Sequence, residues 1–453
     1  MLTGEYDLLA DNMTVTNILA ALLLILPIKF IFLNKKWLIG LYTVSIVANL
    51  PLVFYMSFKF SYELIIALAL IIKIAIDAYK EKSLLYITTR ENIYLIGSLL
   101  IVVIVNLLTS LFNFNRDQFL LRVMIYAVNI FILFIFTYFA KTRDLLGVIK
   151  NAVVLGGALL AVSAVAEMVY GHYVLDVANM RPAGLLLDPN VCAFALNATL
   201  AISLYNPRKP TITRAFFLIA FRVLIVFGVF LTVSRSGYIG SAVILVFMLF
   251  YYSRKGENWV AAAAVTAFIL IYFIFYNTAV KFWGTIHGII DLDRIFPYTG
   301  GPVIPTEGGP TGTPSSIFSG ERIALALAAL RIFFRNLFSG VGIGNVLPEI
   351  AAYTGVGLES HNFVLQLLAE SGVLMLAALL LLGYFIIRLL LNASPRIRWF
   401  FALILLVVAV EALFNHNLLN LNLVWFALAF VLAVNATYSK RKIDIGISRG
   451  RRR

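Results

Sequence analysis

The chain has 453 residues, of which 62% are apolar and only 13% charged, against roughly 45–50% and 25% in an ordinary soluble domain. A water-soluble globule is excluded, and the apolar content suffices for about a dozen helical spans of about 20 residues each. The net charge of +14 is read below as a set of membrane anchors, not as a nucleic-acid footprint. Uninterrupted apolar runs such as Trp259 to Tyr276 and Val373 to Ile387 lack the alternation of a β-barrel, so the spans are α-helical. The single cysteine, Cys192, lies within an apolar run, which leaves neither a disulfide framework nor a thiolate metal cluster to this chain alone.

Apolar windows place spans near 14–33, 37–57, 61–79, 92–112, 119–140, 145–170, 188–205, 215–233, 236–252, 259–277, 362–391, 397–415 and 419–436, an all-α polytopic membrane fold of 12–13 helices. Glu5, Asp7 and Asp11 precede the first window and no Lys or Arg does, so it reads as a retained span and not as a signal peptide. Lys and Arg gather in alternate connections, from Lys35 and Lys36 through to the tail at 440–453, and these seven hold 23 of the 36 basic residues. By the positive-inside bias those connections and the C-terminus are cytoplasmic, and the acidic N-terminus is outside. Four parts follow: spans at 1–277 and 362–436 enclose a loop at 278–361, and a basic cytoplasmic tail runs over 437–453.

That loop faces outward by the charge argument, and loops of such length are usually functional or disordered. Its middle, GGPVIPTEGGPTGTPSS from Gly300 to Ser316, holds too few apolar residues to fold alone and is expected to be a mobile flap. The following GERIALALAALRIFFRN, Gly320 to Asn336, reads as an interfacial helix capped by Ser319. Arg322 sits near its start, where the helix dipole prefers an acid, which marks Arg322 above Arg331 as a functional candidate. SGVGIGNV, Ser339 to Val346, follows no strand and is read as a turn back to the bilayer, not as a dinucleotide fingerprint. LESHNFVLQLLAESG then puts Glu359, His361 and Asn362 at the outer mouth of the next span.

Ionisable groups at span edges are the strongest functional signal in such a protein. Arg181, in MRPAGLLLDPN with Asp188 and Asn190, and Arg235, in LTVSRSG, join Arg322 and His361 on the side where positive charge is normally sparse. Arg181 leans toward a salt bridge with Asp188, while Arg235 reads equally as a snorkelling anchor or a fixed cation. A bound polyanion accounts for the group, since guanidinium forks suit phosphate, and His361 can transfer a proton near neutral pH. His172 and His287 read as structural, and His416 with Glu411 as a buried polar cluster. The Asp291–Asp293 pair of DLD is a weak metal motif, and no metal site is assigned.

From about Arg181 to Trp425 the chain resembles the O-antigen ligase and polymerase superfamily of bacterial membrane glycosyltransferases. The resemblance rests on RPAGLLLDPN, LTVSRSG, GERIALALAALRIFFRNLFSGVGIGN and SHNFVLQLLAESG, in that order and spacing. It implies an inverting transferase, free of metal and nucleotide cofactor, in the bacterial inner membrane with its active site facing the periplasm. The donor would be an undecaprenyl-diphosphate-linked glycan and the acceptor a sugar hydroxyl, as on lipid A core. Arg235 and Arg322 would then hold the diphosphate and His361 would assist the acceptor, with Arg181, Asn190, Ser234, Glu359 and Asn362 binding substrate around them. His361, Asn362 and Gly372 keep the spacing of the ligases' histidine motif, whereas Met375 stands where a small or hydroxyl-bearing residue is usual. That leaves a polymerase, or a transferase to protein, beside the ligase. A flippase for lipid-linked saccharide would call for repeated halves and mid-bilayer polar residues; Lys73 and Arg222 fall in apolar runs, but no repeat accompanies them.

Overall fold

The structure is a computed structural model that describes residues 34–49, 62–80, 83–139, 143–170, 181–186, 188–205, 212–253, 320–355, 357–439 and 443–448. The chain is a helical polytopic membrane protein. In order the elements are α1 (Lys35–Ala48), α2 (Tyr62–Lys80), β1 (Ser83–Thr88), α3 (Arg90–Thr109), α4 (Arg116–Phe139), α5 (Arg143–Tyr170) and α6 (Pro189–Ser203). They continue with α7 (Ile212–Leu231), α8 (Arg235–Ser253), α9 (Gly320–Arg335), α10 (Val346–Thr354), α11 (Phe363–Asn392), α12 (Pro395–Phe414), α13 (Asn422–Tyr438) and β2 (Ile443–Ser448). Each sequence-predicted span within these residues is met by a helix; those at 14–33 and 259–277, and the part of 37–57 beyond residue 49, lie outside them. Helices α3, α4, α5, α11 and α12 contain stretches long and apolar enough to cross a bilayer, and α6, α7, α8 and α13 are shorter apolar helices.

Helices are favoured because in hydrocarbon each backbone N–H and C=O must find its partner within the element. Their ends carry local signals: Thr89 caps α3 by accepting from Asn92 N, Asp188 caps α6 by accepting from Asn190 N and Val191 N, and Asn362 caps α11 by accepting from Leu365 N. One departure from the all-helical reading is a two-stranded antiparallel ribbon, with Ser83 opposite Ser448 and Thr88 opposite Ile443. Its segments, SLLYIT and IDIGIS, are rich in β-branched residues that fit a pleated surface.

The main core runs between α1, α4, α6 and α13, where Tyr42, Phe136, Phe426 and Trp425 are almost wholly buried. Phe136 stacks on Tyr42 and meets Phe426 edge-on, with centroids 5.5 and 4.6 Å apart. A second, smaller core is made by Leu325, Ala329 and Ile332 of α9, Val341, Val346 and Ile350 around α10, and Ala369 of α11. It locks the amphipathic α9 onto the start of α11.

The glycine turn between α9 and α10 makes that lock. α11 is broken at Gly372, whose φ of 68° and ψ of −155° are not helical, and the break exposes backbone groups to pairing. Val341 N donates to Ala369 O, Gly342 N to Glu370 O and Val373 N to Leu337 O, at 2.9, 2.9 and 2.7 Å. A Cβ on Gly340, at φ +64°, would lie 2.2 Å from Glu370 O. The G-x-G-x-G segment is thus a close-packed brace, in keeping with the turn read from its sequence.

Candidate functional site

The first turns of three helices converge on one cavity of about 390 Å³. Arg235, Tyr238 and Ile239 come from α8, Arg322 and Ala326 from α9, and Ser360, His361, Asn362 and Leu365 from the start of α11; Leu413 and Phe414 close it. Helix N-termini carry partial positive charge, and a cation there is unfavourable unless an anion offsets it. Two arginines at two such ends line one cavity, an arrangement whose charge an anion with several oxygens would offset.

Each segment is held in place by its own local chemistry. Ser234 opens α8: its carbonyl accepts from Tyr238 N at 3.0 Å and its hydroxyl from Gly237 N at 3.3 Å. The same hydroxyl donates to Asn190 Oδ1 at 2.9 Å, and Arg181 gives Nε to Thr232 O and a terminal nitrogen to Asn190. Arg181, Asn190 and Ser234 therefore tie the RPAG segment, α6 and α8 together behind Arg235. Glu167 of α5 fixes the other end of RPAG by accepting from Ala183 N and Gly184 N at 2.8 and 2.7 Å. Val233 and His361 both adopt left-handed backbone, with φ of 48° and 49°. Such conformations in non-glycine residues cost about 1–3 kcal/mol and gather at functional sites.

Arg322 is half-buried, and burial alone lowers its pKa from the ordinary value; among the described residues it meets neither a hydrogen-bond nor an ion-pair partner. Arg331 and Arg335 differ, because both engage Tyr353, one over the ring at 4.8 Å and the other through its hydroxyl at 2.9 Å. Arg322 and Arg331, separated in the sequence by the helix dipole, thus differ in their contacts as well. Burial, followed by the positive charges of His416 and Arg322, holds His361 below the usual imidazole range. Beside it the Glu359 carboxylate reaches His416 Nε2 at 2.6 Å, and the His416 ring stands edge-on to that of His361 with centroids 5.7 Å apart. Burial pushes Glu359 up, but the hydrogen bond and charge of His416, aided by Arg122 and His361, outweigh it and hold the carboxyl low.

Residues 220–380 match a family model described as Wzy_C, O-antigen ligase. Over that segment the chain is similar to O-antigen ligases. The match supports a likeness to the O-antigen ligase and polymerase superfamily over that part of the chain. A search of curated proteins returned no match. The matched segment spans α8 to α10 and most of α7 and α11, and so contains Arg235, Arg322, Glu359, His361 and Asn362; Arg181 and Asn190 precede it.

The structure brings Arg235, Arg322, His361 and Asn362 to one cavity and sets Arg181, Asn190 and Ser234 behind it. Asp188 serves as the α6 cap, and the described contacts of Arg181 run to Thr232 and Asn190. His416 pairs with Glu359 rather than with Glu411, whose carboxylate takes Asn415 at 3.0 Å. Arg222 gives its guanidinium to Ser203. Ser319, His172, His287, Asp291, Asp293 and the Gly300–Ser316 segment lie outside the described residues. Among the described residues no cluster of three or more metal-ligating side chains occurs.

One functional support was missed in the sequence: a buried network under the His361 turn. Arg122 of α4 pairs with Glu370 of α11 at 3.8 Å, Asn106 of α3 gives Nδ2 to Glu370 at 2.9 Å, and Tyr126 gives its hydroxyl to Asn106 at 2.8 Å. Gln366 donates to Glu370 at 3.1 Å and accepts from Ser360 at 3.1 Å. The only signal available was an arginine and a glutamate inside apolar windows, the very feature that marks intramembrane function.

Proposed function

We propose that the protein transfers a glycan from undecaprenyl diphosphate to a sugar hydroxyl on the periplasmic face of the bacterial inner membrane, with lipid A core as acceptor. The observation that carries the reading is the convergence of Arg235, Arg322 and His361 on one cavity at three helix N-termini. In the reaction the acceptor oxygen attacks the anomeric carbon, and the bond from that carbon to the diphosphate oxygen breaks with both electrons going to the leaving group. Arg235 and Arg322 take up the developing charge. His361, held largely neutral by its surroundings, accepts the acceptor proton, so configuration inverts in one displacement. Diphosphate is already a good leaving group, so charge stabilisation outweighs acid catalysis. All the chemistry comes from side chains in this scheme, without metal or nucleotide.

The acceptor separates a ligase from a polymerase or a protein transferase, which use the same donor chemistry. The test is transfer by purified protein from synthetic undecaprenyl-diphosphate oligosaccharide, with chelator, in the presence and absence of lipid A core. Product only with core supports the ligase. Longer lipid-linked chains without core make it a polymerase, and translocation in liposomes without any product would overturn the transferase reading. Outward exposure of the 278–361 loop is checked by Ser316→Cys and an impermeant maleimide, which should label from the periplasmic side.

A further inference from the structure

The cavity needs only one histidine for the chemistry above, yet a second stands beside that histidine. His416 sits on the turn after α12 and is joined to Glu359, on the turn before α11, by the 2.6 Å contact. The ring of His361 stands at 78° to that of His416, with centroids 5.7 Å apart, and lines the same cavity as Arg235 and Arg322. The pair is partly buried, with side-chain exposures of 19% and 28%. An ion pair so placed is an electrostatic fixture more than a stabilising contact, because desolvation offsets most of its attraction.

We propose that Glu359 and His416 form a positioning pair for His361, in which the carboxylate fixes the His416 imidazole and its positive edge keeps His361 the proton-free base of the cavity. The proposal rests on the transferase reading for the use of that base. The charged groups facing His361 bear it out in sign. His416 and Arg322 of α9 oppose a second positive charge, Glu359 and Asp188 at the α6 cap favour one, Arg235 of α8 lines the same cavity, and Arg122 of α4 acts on Glu359. Burial comes first, and with Glu359 engaged by His416 the cationic neighbours add to it. When His361 takes the acceptor proton, that same repulsion favours its prompt release once diphosphate has left.

The test titrates His361 itself. Modification of its imidazole by diethyl pyrocarbonate, followed by peptide mass spectrometry across pH, reads the neutral fraction without any need for glycan transfer. In His416→Gln the midpoint should rise by about 0.5–2 pH units, the size expected on losing a unit charge near 6 Å at an effective dielectric of roughly 20–80. His416→Arg, which keeps a cation beside Glu359, should return it toward wild type. The acid limb of kcat/KM for transfer should move with the midpoint in the same variants. An unmoved midpoint in His416→Gln, or an equal displacement in His416→Arg, overturns the proposal, and His416→Asn replaces the glutamine variant if that is not monodisperse. A moved midpoint in a protein without transferase activity would instead sink the transferase reading and leave the electrostatic coupling standing.

Discussion

Gly340→Ala is the sharpest structural perturbation. An alanine there must hold φ near +64°, and its Cβ would lie 2.2 Å from Glu370 O, 2.3 Å from Glu370 C and 2.4 Å from Ser371 N. All three are backbone atoms, so rotamer change gives no relief and the turn must back away from α11. The left-handed conformation costs about 1–2 kcal/mol for an L-residue. Retreat also loses the two 2.9 Å bonds from Val341 N and Gly342 N, at about 0.5–1.5 kcal/mol each. The expected destabilisation is therefore about 2–5 kcal/mol. Gly355, at φ +72°, has no neighbour within 4 Å of a built Cβ, so Gly355→Ala should cost only the conformational part, about 1–2 kcal/mol. Gly357 has open space and no left-handed φ, and its alanine variant should be neutral or slightly stabilising. SDS-titrated unfolding in mixed micelles measures the series. If Gly340→Ala and Gly355→Ala fell within about 0.5 kcal/mol of each other, the brace would not act as described.

Arg235→Ala and Arg322→Ala should each lower kcat/KM for glycan transfer by about 10- to 150-fold, the worth of a charge-assisted bond to phosphate, and at least as much as His361→Ala. Near-wild-type transfer by either, at normal membrane level, would exclude the diphosphate assignment. Arg331→Ala should stay within about two-fold of wild type, because its guanidinium is taken up by Tyr353 and exposed contacts of this kind are worth roughly 0.5–1 kcal/mol. The neutral form of His361 is the active base and its pKa is lowered, so activity should be lost as pH falls through a value below the usual 6.5 or so; an acid limb above that range in a kcat/KM profile contradicts the assignment. Glu370→Ala should destabilise by about 3–5 kcal/mol in the same SDS titration, because it strands Arg122 inside the bundle. Glu370→Gln, which keeps an acceptor for Asn106, should cost clearly less, and equal losses in the two would refute a charge role.

Spans were legible in the sequence because bilayer thickness imposes a run length that apolar composition must meet. Arg322 was legible for a related reason, since a cation at a helix start contradicts a local rule and needs no knowledge of neighbours. The partners of Glu359, Arg122 and Arg181 were not legible. Glu359 and His416 are 57 residues apart along the chain, and their meeting is decided by how the turns beside α11 and α12 stack. His416 was accordingly paired with its chain neighbour Glu411, the closest acid by sequence, although one helical turn leads Glu411 to Asn415. The ribbon escaped notice because each strand is short and the two lie at opposite ends of the chain.

The brace between Asn106 and Glu370 closes 264 residues of chain. During synthesis α3 and α4 are already inserted when α11 arrives, so the buried carboxylate enters a bilayer where its amide and guanidinium partners are waiting. The segment 220–380 is thus a passenger on a template laid down earlier. Recombination that exchanges that segment alone between relatives would give Glu370 a foreign cradle, and exchanges that preserve activity should be those that carry α3 and α4 along with it.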